Sequence, residues 1–169
     1  MCERVDMGDT KRSSKAETVP ISDHKIEASI RIAVATDFAA IARLYAQLQP
    51  ADPPVTDEAV FHEIINRPGL DLLVLESGGE VAATTYLNVI PNLTRSARPY
   101  AVIENVVVDK ALRGTGLGRQ IMDATLARAW EAGCYKAMLL TGSSNPNTHA
   151  FYSASGFSAD EKSAYLARP

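Results

Sequence analysis

The sequence predicts a single α/β domain built on one mixed β-sheet flanked by helices, and three observations carry that reading. Two apolar runs, 70–75 and 81–90, flank Ser77-Gly78-Gly79, which is the turn chemistry of an antiparallel hairpin. Residues 100–141 alternate apolar strand, helix and apolar strand, a crossover that favours parallel pairing. The 169 residues leave room for one such unit and no second domain, at about 150 residues per domain.

The first 28 residues carry 11 charged side chains and no Phe, Trp or Tyr, with a period of neither two nor 3.6. They are expected to form a flexible arm, with 29–169 as the folded domain. Residues 30–34 alternate as a short strand. Thr36 is expected to cap a helix whose Phe38, Ile41, Tyr45 and Leu48 share one face and which Pro50 ends. Thr56 is expected to open a second helix, with Asp57 and Glu58 in its first turn and Arg67-Pro68-Gly69 as its stop. The hairpin follows, and then a long loop, 91–99, that contains Arg95 and Arg98. Residues 100–108 form an apolar strand interrupted by Glu104 and Asn105, and 117–132 a helix closed by Gly133. A buried strand over 136–141, a helix over 146–155 and a last strand near 164–166 complete the expectation.

Charge and composition exclude several function classes. The 17 Lys and Arg against 20 Asp and Glu give a net charge of −3, which offers no attraction to a phosphate backbone, so no nucleic-acid partner is expected. No run approaches the roughly 20 apolar residues of a membrane helix, and 1–20 intersperses charges where a signal peptide carries apolar residues. Cys2 and Cys134 offer neither a disulfide framework nor metal-ligand spacing. A cytoplasmic protein with no metal and no membrane association is expected.

The chemistry concentrates in Arg113-Gly114-Thr115-Gly116-Leu117-Gly118, between a strand end and a helix start. Glycines there let the chain turn tightly and expose N–H groups, and the helix adds the positive end of its dipole, so the segment suits a phosphate or pyrophosphate. A P-loop would need Lys and then Ser or Thr after the last glycine, where Arg119-Gln120 stands. A dinucleotide fingerprint would need G-x-G-x-x-G on an early strand, and the spacing here is G-x-G-x-G.

Arg113-x-x-Gly116-x-Gly118 after an apolar strand, followed by Asn145 and then Phe151-Tyr152-x-x-x-Gly156-Phe157, resembles the Gcn5-related N-acetyltransferases (GNAT), whose R/Q-x-x-G-x-G/A loop binds the pyrophosphate of acetyl-CoA. The resemblance covers residue 30 to the C-terminus and implies a sheet that splays at its centre, with pantetheine in the gap. Within the family, Ile103-Glu104-Asn105-Val106-Val107-Val108, Cys134-Tyr135-Lys136 and Tyr165-Leu166-x-Arg168 are similar to the glucosamine-6-phosphate N-acetyltransferase branch. The stretch 88–100 is longer than in that branch, and its sugar-phosphate ligands have no counterpart there.

The resemblance implies an acetyl-CoA-dependent N-acetyltransferase in which a primary amine of a small molecule attacks directly within a ternary complex. It lays Val106, Val107 and Val108 along the coenzyme, with a backbone N–H near Val106 as oxyanion donor, and Arg113, Gly114, Thr115, Gly116, Leu117 and Gly118 around the pyrophosphate. The side chains of Val106 and Val108 are otherwise core. Tyr152 matches the family's proton donor to the coenzyme thiolate. Asn145 matches a coenzyme-binding asparagine, while Pro146-Asn147 beside it reads equally as helix-start chemistry.

Glu104, a carboxylate in an apolar strand, is either a base whose pKa burial raises or a solvated residue on an exposed face. Asn105 points the other way on the pleat and reads first as structural, with a substrate-side role as the alternative. Arg168 is, through the resemblance, a candidate for a substrate phosphate. Arg95 and Arg98 either meet acid groups or are solvated. The loop 88–100 and the first two helices are expected to shape the acceptor pocket. Family members pair through C-terminal strands, which makes a homodimer the expectation. A non-catalytic acyl-CoA sensor is the rival from another class.

Overall fold

The computed structural model describes residues 28–169, so the expected arm lies outside the described residues apart from its last position. Strand β1 (Ala28–Ile32) leads through a 3-10 turn, Ala35–Asp37, into helix α1 (Phe38–Leu48), and an irregular connection leads to α2 (Glu58–Asn66). The hairpin β2 (Leu70–Ser77) and β3 (Glu80–Ile90) follows, then β4 (Tyr100–Val108), α3 (Leu117–Glu131), β5 (Ala137–Met138) and α4 (Pro146–Ala154). The sheet runs in sequence order, antiparallel from β1 to β4 and parallel between β4 and β5. It is the mixed sheet that the hairpin and the crossover predict.

The unbroken apolar run of β2 has a simple cause, because helices cover both faces of the sheet. Leu73 and Leu75 point to one face and pack with Ile121 and Met122 of α3, while Leu72 and Val74 point to the other and pack with Ile41, Leu44 and Phe61 of α1 and α2. Each fully buried side chain of this kind contributes about 1.5–3 kcal/mol, so the two layers hold the sheet rigidly beneath whatever its edge carries.

Several local expectations are corrected. Asp37, not Thr36, organises the start of α1: its carboxylate accepts from the Val34 N–H at 2.7 Å and from Arg31 at 2.6 and 2.9 Å. Arg31 also meets Glu76, so a cation shared between two carboxylates ties β1, β2 and the helix start together, and it holds the Asp37 carboxyl below the usual carboxylate range. Asp57, one residue after Thr56, caps α2 by accepting from the Val60 N–H at 3.0 Å. The strand expected over 136–141 is only two residues long, and 164–166 forms no strand, leaving Tyr165 96% exposed. A strand needs a neighbour. Among the described residues no strand pairs with β5 on its outer edge, and 164–166 pairs with none.

The loop 91–99 turns away from the expected pocket. Arg95, Ser96 and Ala97 all have left-handed backbone, with φ of 59°, 58° and 57°. The loop is held by Arg98, which donates to the carbonyls of Gly133 and Cys134 at 3.4 and 3.2 Å, and by Arg95, 5.9 Å above the Tyr135 ring. It therefore closes the C-terminal end of α3, a helix of 15 residues and about 22 Å in length, at the opposite end from the glycine segment. Neither arginine is placed to meet an anion bound at the N-terminus of that helix.

Candidate active site

The site forms where β4 parts from β5. Only Ala101↔Ala137 and Val102↔Met138 pair between them, and from Ile103 onward β4 runs alone on that side among the described residues. A cavity of about 450 Å³ opens there, between 103–106 on one wall and 139–143 on the other. The sheet is splayed at this point.

A bulge bends β4 at the same place. Thr84 pairs with Val107 and Tyr86 with Glu104, so Asn105 and Val106 share the space opposite Thr85. Asn105 takes up the irregularity with φ of 50°. Glu104 is half-buried and lines the cavity together with Val106 and Tyr152. Phe151 and Phe157, with ring centroids 5.1 and 6.1 Å away, hold the Tyr152 ring. Burial, and after it the Glu104 carboxylate, push the Tyr152 phenol above its ordinary value, so it carries its proton at neutral pH.

Past the end of β4 the chain enters the glycine segment under restraint from α1. Asp109 accepts from the Ala111 N–H at 3.0 Å, from Gln47 at 3.2 Å and from the Arg43 guanidinium, while Gln47 accepts from the Lys110 N–H at 2.8 Å. These contacts keep the Asp109 carboxyl low. The clamp was missed from sequence, although Arg43 and Gln47, four apart on an otherwise apolar helix, are its visible trace.

Gly114 and Gly116 have φ of 80° and 89°, which side chains resist, and Gly116 is the N-cap of α3. Gly118 is needed for another reason: a Cβ there would lie 3.3 Å from Val108 and 3.4 Å from Phe151. Among the described residues the backbone N–H groups of residues 113–118 donate to no carbonyl. The side chains shape the loop instead. Arg113 Nε donates to the Val108 carbonyl at 3.1 Å, Thr115 Oγ1 donates to the Leu112 carbonyl at 2.6 Å, and Leu117 is buried in the core. What remains for a ligand is a row of free N–H groups on a helix N-terminus, the arrangement that holds phosphate.

The other sequence candidates divide. Val107 is buried against Ile41 and Leu44, so only its main chain can meet a ligand, whereas Val108 packs beside Gly118. Asn145 caps α4, accepting from the Asn147 N–H at 3.0 Å, which is the helix-start alternative. Its side-chain nitrogen donates to no partner among the described residues. Arg168 is exposed and lines neither cavity. A second cavity of about 380 Å³, between the end of α1 and the 50–55 connection, shares Leu48, Gln49 and Asn105 with the first. Of the elements expected to shape an acceptor pocket, α1 lines these cavities, while α2 and the 88–100 loop line neither. Among the described residues no group of three His, Cys, Asp or Glu side chains could hold a metal ion, and no helix is long and apolar enough to cross a membrane.

The model of the acetyltransferase (GNAT) family matches residues 38–157, which spans α1 to the end of the Tyr152 segment. The chain belongs to the GNAT acetyltransferases. Membership makes it an acyltransferase and implies the use of acetyl-CoA, with the splay and the glycine loop as the features of this GNAT sheet that suit it. It is similar to glucosamine 6-phosphate N-acetyltransferase 1 of Oryza sativa subsp. japonica, at 35% identity over 68% of this chain and 70% of that one. It is also similar to the glucosamine 6-phosphate N-acetyltransferase of Trypanosoma brucei brucei, at 28% over 83% and 96%. The aminoglycoside N(6')-acetyltransferase type 1 of Stenotrophomonas maltophilia is 28% identical over 83% of this chain and 93% of its own. Among solved structures, a chain from Agrobacterium tumefaciens str. C58 assigned as an acetyltransferase superposes with a TM-score of 0.79 at 43% identity, covering 83% of this chain and 99% of that one. GNAT relatives of comparable likeness thus act on different amines.

Proposed function

We propose that this GNAT chain transfers the acetyl group of acetyl-CoA to the primary amine of a small molecule, by direct attack while both are bound. The observation that carries the reading is the order of features along one edge of β4. The Glu104 and Tyr152 cavity flanks residues 103–106, and the free N–H groups of 113–118 follow the strand's end. When bound, acetyl-CoA supplies an activated acyl group on a thiol leaving group.

The residues present fit that coenzyme. The 113–118 backbone would take its pyrophosphate, and the gap beside 103–108 its pantetheine arm, with the Val106 main chain nearest the acyl carbonyl. Glu104 accepts a proton from the incoming ammonium, directly or through one water. Tyr152 donates its phenolic proton to the departing sulfur, and its raised pKa keeps that proton in place up to alkaline pH. A second copy would pair through the outer edge of β5 and the exposed residues Tyr165 and Leu166.

A panel of amines with acetyl-CoA, read as free thiol, tests the reading. Tyr152→Phe is expected to lower kcat by about a hundredfold or more with KM for acetyl-CoA nearly unchanged. The difference in phenolate absorbance between wild type and Tyr152→Phe should titrate above the ordinary tyrosine value. It should move down, but not fully back, in Glu104→Gln, because burial is the larger cause. Unchanged turnover in Tyr152→Phe would remove Tyr152 as the acid, whereas acetyl-CoA binding without thiol release for any amine would favour a non-catalytic acyl-CoA sensor.

A second reading, acetylation of glucosamine 6-phosphate, is supported by the names of two relatives. It requires a cation at the acceptor, for which Arg168 is the sequence candidate, and loss of turnover of that substrate in Arg168→Glu is its test.

A further inference from the structure

The cavity beside the catalytic pair narrows the acceptor. Helix α1 ends at Leu48, and the chain that follows is stiffened by Pro53-Pro54, whose rings fix φ, so this wall is set without regular structure. Because the cavity shares Leu48, Gln49 and Asn105 with the one lined by Glu104 and Tyr152, a molecule whose nitrogen reaches Glu104 can extend its body into it. The wall offers Tyr45, Pro53, Pro54 and Val55, surface suited to hydrocarbon or an aromatic ring. Burial pushes the Tyr45 phenol up to about 12, so that ring stays neutral.

Charge points the same way. Among the described residues the ionisable side chains lining the two cavities are Tyr45, Asp52, Glu104 and Tyr152. These are two acidic side chains and two phenols, with no cationic side chain among them. Arg43, a cation on the same helix as Tyr45, is committed to Asp109 and to the Val81 carbonyl at 2.9 Å. A phosphomonoester placed here meets like charge, whereas an ammonium meets carboxylate. At contact distance in water each such pair changes affinity by about fivefold.

We infer that the acceptor is an amine with an apolar, unphosphorylated body, such as an arylalkylamine, selected by Tyr45, Pro53, Pro54 and Val55 with Asp52 favouring its positive charge; the inference rests on the acetyl-transfer reading above. The site is thus built for a cation with a hydrophobic end rather than for a sugar phosphate.

The test measures thiol release by the full chain with acetyl-CoA and, in separate arms, 2-phenylethylamine, glucosamine and glucosamine 6-phosphate. The expected result is a kcat/KM for 2-phenylethylamine at least about tenfold above that for glucosamine 6-phosphate. Asp52→Lys, a change of two charge units, should then lower the first by about fivefold to 25-fold and raise the second, whereas a purely structural residue would change both alike. Equal or greater turnover of glucosamine 6-phosphate overturns this inference and leaves acetyl transfer intact. No thiol release with any amine, while acetyl-CoA binds, overturns acetyl transfer itself and this inference with it. Parallel loss of both substrates in Asp52→Lys overturns the selection assigned to Asp52.

Discussion

The two ends of α3 carry loops that both depend on left-handed backbone, and they use it in opposite ways. At the C-terminal end, Arg95, Ser96 and Ala97 adopt that conformation against the preference of their side chains, at a cost of about 1–2 kcal/mol each, and the loop's hydrogen-bonding arginine is spent on carbonyls of the helix end. At the N-terminal end, glycines adopt it without that cost, and the N–H groups of 113–118 are left without a partner among the described residues. Strain alone therefore does not tell the two ends apart. Unused donors do, and the helix dipole makes the end that carries them suited to an anion.

Three substitutions probe that difference, in decreasing order of their expected effect on coenzyme affinity. Gly116→Val places a branched side chain at φ of 89° and should weaken acetyl-CoA binding by about tenfold or more, measured by calorimetry, because relieving the strain moves the N–H row. Asp109→Ala removes the clamp by which Arg43 and Gln47 hold the loop's entry, and should weaken binding by about two- to fivefold with the fold retained. Arg98→Ala should leave the acetyl-CoA Kd within about twofold of wild type while lowering Tm by about 2–4 °C. An Arg98→Ala loss of affinity as large as that of Gly116→Val would erase the distinction between the two loops.

The same contrast explains what could be read from the sequence. The strands 70–77 and 80–90, the strand 100–108 and the helix after it were legible because apolar periodicity and glycine turns are local signals. The cap at α1 was not, because Asp37 prevails over Thr36 through Arg31, a partner supplied by a neighbouring strand. The short β5 and the missing strand at 164–166 show that a strand-like pattern becomes a strand only when it pairs with a neighbour.

At the site, Gly114, Gly116 and Gly118 were legible as a strand-to-helix turn, but their separate duties, backbone angle for two and close packing for the third, appear only in three dimensions. Glu104 and Tyr152 are far apart in sequence, and only the splay of the sheet brings them to one cavity. The cavity wall at 50–55 has no periodicity to read. Arg95 and Arg98 were open to an anionic partner in the sequence and find carbonyls and a tyrosine ring instead.

The central claim is that backbone N–H groups at the start of α3 hold the coenzyme by its pyrophosphate. Calorimetric binding of acetyl-CoA and of S-acetylpantetheine, which has the same acyl end and no pyrophosphate, tests it most directly. The account predicts that affinity falls by at least about a hundredfold for the truncated molecule, as several charge-assisted hydrogen bonds are lost together. Equal affinity for the two would contradict it.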